Sequence, residues 1–499
     1  MVKTIRRSNF IILVLGVLAI LMSSCQWMSE EYDDEIADSS AAQYINITVS
    51  VSASNNPVTR ANPTGGEYGD GPEKGDDREN EVKNITLIFY QDNAGINTTS
   101  DDTKVCCVKK YEVYPMDNTG THTHKEGESA ELREMEVLYT TGDQKLEETA
   151  LEVGQTYKVL VVANATIDVS RGDKIGVVRD KVLASVYTGT GVAVDATQFV
   201  MASETDAEIR LTEDKREFYP SIATTQKDRY VYYFDCIHIE RLSARIDFWA
   251  KNGTYDATTY NHAGYVYDVS SSGDGDKFVL TSITPFNLLD GNEYLFKRTN
   301  DTSSPYLADE TLENWVYDPY TTGKTANSHP DYMKSKLDDV VTTLADVVTT
   351  LANDYNVTMT GQQDNKLTVS GSDDIIIGYP KENTLASGKS YLYYYATGLA
   401  FEGYYYKKGS TTSDDRRLFY HYLRHQGEKD EAYDAIKGSD ALDKTTVCPA
   451  VPAMNYGIVR NNIYRVSIES ITPDEDGLFV KLLIKVKKWD KFVHAPIIM

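Results

Sequence analysis

Positive charge is in short supply: 50 lysines and arginines stand against 75 aspartates and glutamates, a formal charge of −25 over 499 residues. A nucleic-acid partner wants a basic face for its phosphates, so this balance argues against one. Cysteine is also sparse. Beyond Cys25 there are only Cys106, Cys107, Cys236 and Cys448, without the spacing of a zinc site or a small disulfide framework. The apolar run Phe10–Met22 falls short of the ~20 residues of a membrane-spanning helix. Phenylalanine is rare beside tyrosine, 13 against 36. Tyrosine and threonine fit half-exposed sheet surfaces, so the composition leans to β.

Catalytic patterns are missing as well. No serine elbow or Cys–His signature is present. His122 and His124 form an HxH pair among threonine and glycine, with no third ligand nearby. His421 and His425 would share a helical face, but a metalloprotease needs glutamate where Tyr422 stands. Gly273-Asp274-Gly275-Asp276 lacks the spaced oxygens and closing glutamate of a calcium loop and reads as a surface turn. Gly189-Thr190-Gly191 does not complete a phosphate loop. The expectation is a protein that is not an enzyme and carries no metal or cofactor.

What is present begins at the N-terminus. Lys3, Arg6 and Arg7 precede the apolar run, and small Ser23 and Ser24 precede Cys25. That is the pattern of an exported protein's signal, with residues 1–24 removed. A cysteine at the cut is similar to the lipobox of bacterial lipoproteins, whose acylated thiol holds the chain on a membrane. The other reading is an ordinary signal with a chance cysteine. The acidic stretch Ser29–Glu35 has too few apolar residues to fold and reads as a tether.

Then Ile45, Ile47, Val49, Val51 and Ala53 alternate with polar residues, which predicts a strand with one apolar face. Asn55 to Asn80 is rich in Gly, Pro, Asn and Asp, the composition of a long loop. Arg60 sits near its start, and such loops are where proteases cut. Further strands are expected over Val82–Tyr90, Val105–Val113, Tyr157–Ala163, Phe199–Ala202 and Tyr230–Ala250. Asp173–Tyr187 has helical spacing through Ile175, Val178, Val182 and Val186. Asp339–Ala345 reads DVVTTLA and is repeated at Asp346–Ala352, which predicts one amphipathic helix. Ile463–Ile471 and Leu478–Val486 form an expected hairpin. The nine-residue end, Lys491–Met499, is unusually apolar and is either docked on its own domain or kept for another molecule.

At several stretches the chain resembles the major fimbrial subunits (fimbrillins) of Bacteroidales, the type V pilins. These are Leu21–Cys25, Thr59-Arg60 through Glu81, Gly154–Ala165 with its strand ending in Asn-Ala, Phe199–Ser203, Glu240–Ile246 and Val459–Val466. The resemblance implies an all-β chain of two transthyretin-like β-sandwich domains with small helical insertions, residues 61–235 and 236–490. Residues 25–60 would be a propeptide carrying the removable first strand, and 491–499 a donor tail. It further implies lipidation at Cys25, outer-membrane anchoring of the precursor, and cleavage between Arg60 and Ala61 by an arginine-specific protease; Arg78 is a second candidate. Ile45, Ile47, Val49 and Val51 would fill a groove of their own domain until then. Phe492 or Val493, Ala495, Ile497 and Ile498 of a neighbouring copy would fill it afterwards. The expected partners are other copies, anchor or accessory subunits, and a host or bacterial surface receptor. The alternatives are a glycan-binding surface lipoprotein and a minor or tip adhesin, whose Tyr391–Tyr395 and Tyr404–Tyr406 would stack on sugars; the other reading of those tyrosines is sheet faces.

Overall fold

A computed structural model describes residues 41–51, 72–74, 77–91, 101–115, 138–188, 196–220, 228–269, 275–289, 291–298, 374–384, 396–423, 457–474 and 477–490. It also describes residues 316 and 319 and four short strands, Met333–Lys334, Val357–Thr358, Ala432–Asp434 and Ile436–Lys437. The chain is all-β. Strands dominate the described residues, and the α-helical segments among them are the single turns Asp77–Asn80 and Ile175–Arg179. The repeat at 339–352 lies outside the described residues, as do His122, His124 and His425.

Two sheet systems form. In the first, Asn84–Tyr90 lies between Val105–Glu112 and Thr156–Ala163, all antiparallel. Thr156–Ala163 reads as an almost unbroken apolar run because both its faces are covered. Val159, Val161 and Ala163 enter one core, and Leu160 and Val162 enter another on the opposite face. Asn164 ends this strand with a left-handed φ of 59°. Its amide donates to the carbonyls of Glu81 and Phe199, at 2.7 and 3.0 Å, and its Oδ1 accepts from the Lys83 N–H at 2.9 Å. Asparagine tolerates that backbone and its side chain ties three segments together.

Met201–Ser203 joins Thr156–Ala163 to Ile237–Arg241 and carries the sheet round to a second face. That face holds Thr48–Ser50, Leu138–Thr140 and Tyr114–Pro115, with Arg216–Tyr219, Arg229–Tyr233, Ala42–Asn46 and Gln144–Lys145 beside them. The predicted run Tyr230–Ala250 is therefore three strands. The chain crosses to the second system through Leu242–Ala244, since Arg245–Trp249 pairs with Asp374–Gly378 and with Asn462–Asp474.

The second system packs that sheet against Thr254–Asp256, Gly264–Asp268, Lys277–Phe286, Gly398–Tyr406 and Arg416–Tyr422. Its core gathers Phe248, Phe278, Leu280, Phe401, Tyr464, Val480 and Leu482. Gly403 is required there: a Cβ would stand 2.3 Å from the Phe278 ring and 2.5 Å from the Val279 carbonyl. The final hairpin runs further than its sequence signal, Asn462–Asp474 against Gly477–Asp490, with a register shift between Ile468 and Ser470.

The helical spacing of Asp173–Tyr187 yields only Ile175–Arg179. Ile175, Val178 and Val186 reach the core behind the first sheet, but Val182-Leu183 is captured as a strand by Glu293-Tyr294. Tertiary pairing has overridden a short periodic signal.

Candidate functional site

The site is a slot in the first sheet system and the strand that lies in it. Ala42–Asn46 runs parallel to Arg229–Tyr233 and antiparallel to Gln144-Lys145. Thr48–Ser50 continues it, parallel to Ile237-His238 and antiparallel to Leu138–Thr140. The strand is thus paired on both edges over part of its length. At the join, Ile47 leaves the regular ladder. Its N–H donates to Thr141 Oγ1 at 3.1 Å and its carbonyl accepts from the Thr141 N–H at 3.0 Å. Asn46 locks the register from the wet face: its amide donates to Asp143 at 3.1 Å and its Oδ1 accepts from Thr140 Oγ1 at 2.6 Å.

On the dry face Ile45, Ile47, Val49 and Val51 are at most 1% exposed. They pack with Ile85, Leu87, Phe89, Val159, Val161, Tyr232, Ile237 and Ile239. At roughly 1.5–3 kcal/mol for each buried aliphatic chain, these side chains contribute on the order of 6–12 kcal/mol. That is the scale of a whole domain's net stability.

The chain from Ser52 to Gly71 carries a single basic residue, Arg60. Past it, Pro72–Lys74 pairs parallel with Lys488–Asp490, the end of the last strand. Asp77–Asn80 then turns into the junction between the two systems. There the Glu79 carboxylate, wholly buried, meets Arg245 at 2.8 Å and the Tyr379 hydroxyl at 2.5 Å. Arg245 also pairs with Asp247 at 2.8 Å. Burial opposes its charge, but Asp247 and Glu79 outweigh that and hold it protonated. Burial, and then the Glu79 charge, push the Tyr379 hydroxyl well above the ordinary phenol value. A second buried group centres on Arg460, which donates to Glu382 at 2.7 Å and to the carbonyls of Tyr294 and Leu295 at 2.6 and 3.1 Å. Arg241, Arg245 and Arg460 lie within the two stretches Glu240–Ile246 and Val459–Val466 that carried the resemblance. Their role at the junction was not read from sequence, although arginines set among apolar residues are a signal of paired buried charge.

Arg78 belongs to the Asp77–Asn80 turn, half-buried, its guanidinium donating to the Tyr379 hydroxyl at 3.4 Å. Cys25, Arg60, Ala61, Phe492, Val493, Ala495, Ile497 and Ile498 lie outside the described residues. His421 sits in the strand Arg416–Tyr422. Asp276 accepts from the Tyr405 hydroxyl and from the Lys408 N–H, as a surface turn does. Tyr404 stacks on His262 with ring centroids 3.4 Å apart, and Tyr406 donates to Asn261 at 2.7 Å. Cys106, Cys107 and Cys236 form no disulfide among the described residues; burial pushes the Cys106 thiol up to about 11. Among the described residues, no three His, Cys, Asp or Glu side chains are grouped to hold a metal.

No family model and no curated protein matches this chain. Among solved structures, it is similar to a cell adhesion protein of Parabacteroides distasonis at 12% identity and a TM-score of 0.43, covering 90% of this chain and 100% of that one. A fimbrilin of Porphyromonas gingivalis matches at 12% and 0.39, covering 91% and 99%. The tip fimbrial protein of Porphyromonas gingivalis matches at 12% and 0.35, covering 89% and 99%. The structural neighbours of this chain are fimbrial and cell adhesion proteins of Bacteroidales.

Proposed function

We propose that this chain is a structural subunit of a cell-surface fimbria that supports adhesion and assembles by exchanging strands. The observation that carries the reading is the first strand. It fills a central slot, supplies core side chains, and is joined to the rest of the protein through a stretch with one cleavable basic residue. The precursor is exported, acylated at Cys25 and held at the outer membrane. An arginine-specific protease cuts between Arg60 and Ala61. Ala42–Ser50 then leaves, and the apolar tail Lys491–Met499 of the next copy adds in its place, a case of β-strand addition. Anchor or accessory subunits and a surface receptor complete the partner set.

The runner-up, a glycan-binding surface lipoprotein or tip adhesin, gains little from Tyr404–Tyr406. Those side chains are committed to His262, Asp276 and Asn261. The test is limited digestion with an arginine-specific protease, read by N-terminal sequencing, unboiled gel electrophoresis and electron microscopy. The expected product starts at Ala61 and forms ladders or filaments, and a copy lacking Lys491–Met499 is cut equally but stays monomeric. A wild-type monomer that persists after clean cutting removes the proposal in favour of the binding lipoprotein.

A further inference from the structure

The slot has two walls, Leu138–Thr140 on one side and Ile237–Arg241 on the other. When the strand between them leaves, each wall loses a row of hydrogen-bond partners and exposes apolar side chains. The default outcome is closure, with the walls pairing on each other and burying that surface. One short segment resists this. Tyr139, on the first wall, donates its hydroxyl to the Asn80 carbonyl at 3.0 Å. Arg241, on the second wall, donates Nε to the Glu79 carbonyl at 2.9 Å and a second nitrogen to the Asn80 side chain. Both walls are therefore fastened to the same two residues. Those residues are in turn fastened to the second sheet system through Arg245, Tyr379 and, by way of Arg241, Asn461 at 3.0 Å. Glu79 and Asn80 are fully buried, and they follow Arg60 in the chain, so they stay with the larger piece after a cut there.

We propose that Glu79-Asn80 is a staple that keeps the emptied slot open at its Ser50 end, a preformed acceptor for a second strand with alternating aliphatic side chains. The proposal rests on the reading that the first strand is exchanged. The staple holds the walls at the spacing of one intervening strand, so the incoming strand does not have to part them. Preorganisation of this kind raises affinity by removing a reorganisation cost. A cut after Arg78 would instead make Glu79 a new chain terminus and detach the staple from Pro72–Lys74, which pairs with the last strand.

The probe is a fluorescent peptide of residues 41–51, titrated against protein cut at Arg60 and lacking Lys491–Met499, the background for every variant, at a dilution where the resident strand dissociates with the peptide already present, and uptake is followed by anisotropy. Wild-type protein takes up the peptide. Tyr139→Phe, which removes only the hydroxyl that donates to the Asn80 carbonyl, takes it up about tenfold more weakly. Glu79→Gln is weakened in the same direction. Tyr464→Phe, which loses a comparably buried hydroxyl in the second core, binds as wild type does. Uptake by Tyr139→Phe equal to that of wild type overturns the staple while leaving strand exchange standing. A matching loss in Tyr464→Phe also overturns it, because the effect is then general destabilisation. Absence of uptake by the wild type overturns the exchange reading, and the staple with it. Should Glu79→Gln fail to fold, Tyr139→Phe and Tyr464→Phe decide the matter.

Discussion

The first strand and the final hairpin are both central and both buried, yet the chain holds them in opposite ways. Asn462–Asp474 and Gly477–Asp490 pair with each other between segments adjacent in sequence, so their ladder is local. Ala42–Ser50 has no neighbour in sequence among its partners. Its walls come from Gln144-Lys145 and Leu138–Thr140 on one side and Arg229–His238 on the other, and it runs parallel to the more distant wall. Such a strand occupies a slot whose walls come from distant parts of the chain. A cut in its single link would leave every other described pair of strands joined. A hairpin strand has no such freedom. The difference shows that burial alone does not make a segment permanent; the connectivity of its partners decides.

The largest effect should come from omitting the first strand. A chain beginning at Ala61 is expected not to persist as a soluble monomer, since it loses on the order of 6–12 kcal/mol of burial and exposes an unpaired slot. Size-exclusion chromatography should show aggregate or polymer, and adding a peptide of residues 41–51 during refolding should recover monomer. A stable, fully folded monomer without the strand would erase the distinction between the two regions.

A matched pair of core truncations sharpens it. Ile47→Ala and Phe248→Ala should each destabilise the uncut protein by about 2–5 kcal/mol in chemical denaturation. After cutting at Arg60 the two should part company. Ile47→Ala should shed its strand much faster than wild type, while Phe248→Ala, in the second core, should shed it at the wild-type rate. Equal release from both would mean the cores melt as one unit.

Much of this was legible beforehand, and the reason is periodicity. Ile45, Ile47, Val49 and Val51 announce a strand with one dry face because β side chains alternate, and all four are buried. That a strand ends at Asn164 came from the resemblance rather than from periodicity. The identity of the walls was not legible, because pairing between Thr48–Ser50 and Ile237-His238 leaves no local trace in either segment. Nor was the junction. Glu79 reads in sequence as one more acid in a polar loop, and only the fold sets it against Arg245 and Tyr379. Val182 failed for a related reason: its helical spacing was real, but pairing with Tyr294 decided the outcome.

The smallest effect concerns acid and belongs to the second system alone. Asp276 lies at the surface. Its carboxyl is held below the ordinary value of 3.8, first by the Tyr405 hydroxyl and then by the Lys408 N–H. A carboxyl depressed in the folded state adds stability above its unfolded pKa, and that stability is lost as pH falls through the folded value. Tyr405→Phe should therefore be slightly less stable than wild type at pH 7, and the gap should close as the pH is lowered through and below the ordinary carboxylate range. Melting curves of the uncut proteins across that range would show it. Strand release from cut protein should not differ between Tyr405→Phe and wild type at any pH, because no first-strand residue touches this turn among the described contacts. A difference in release would mean that the outer edge of the second sheet system bears on the slot, a coupling that the local hydrogen bonds of Asp276 give no reason to expect.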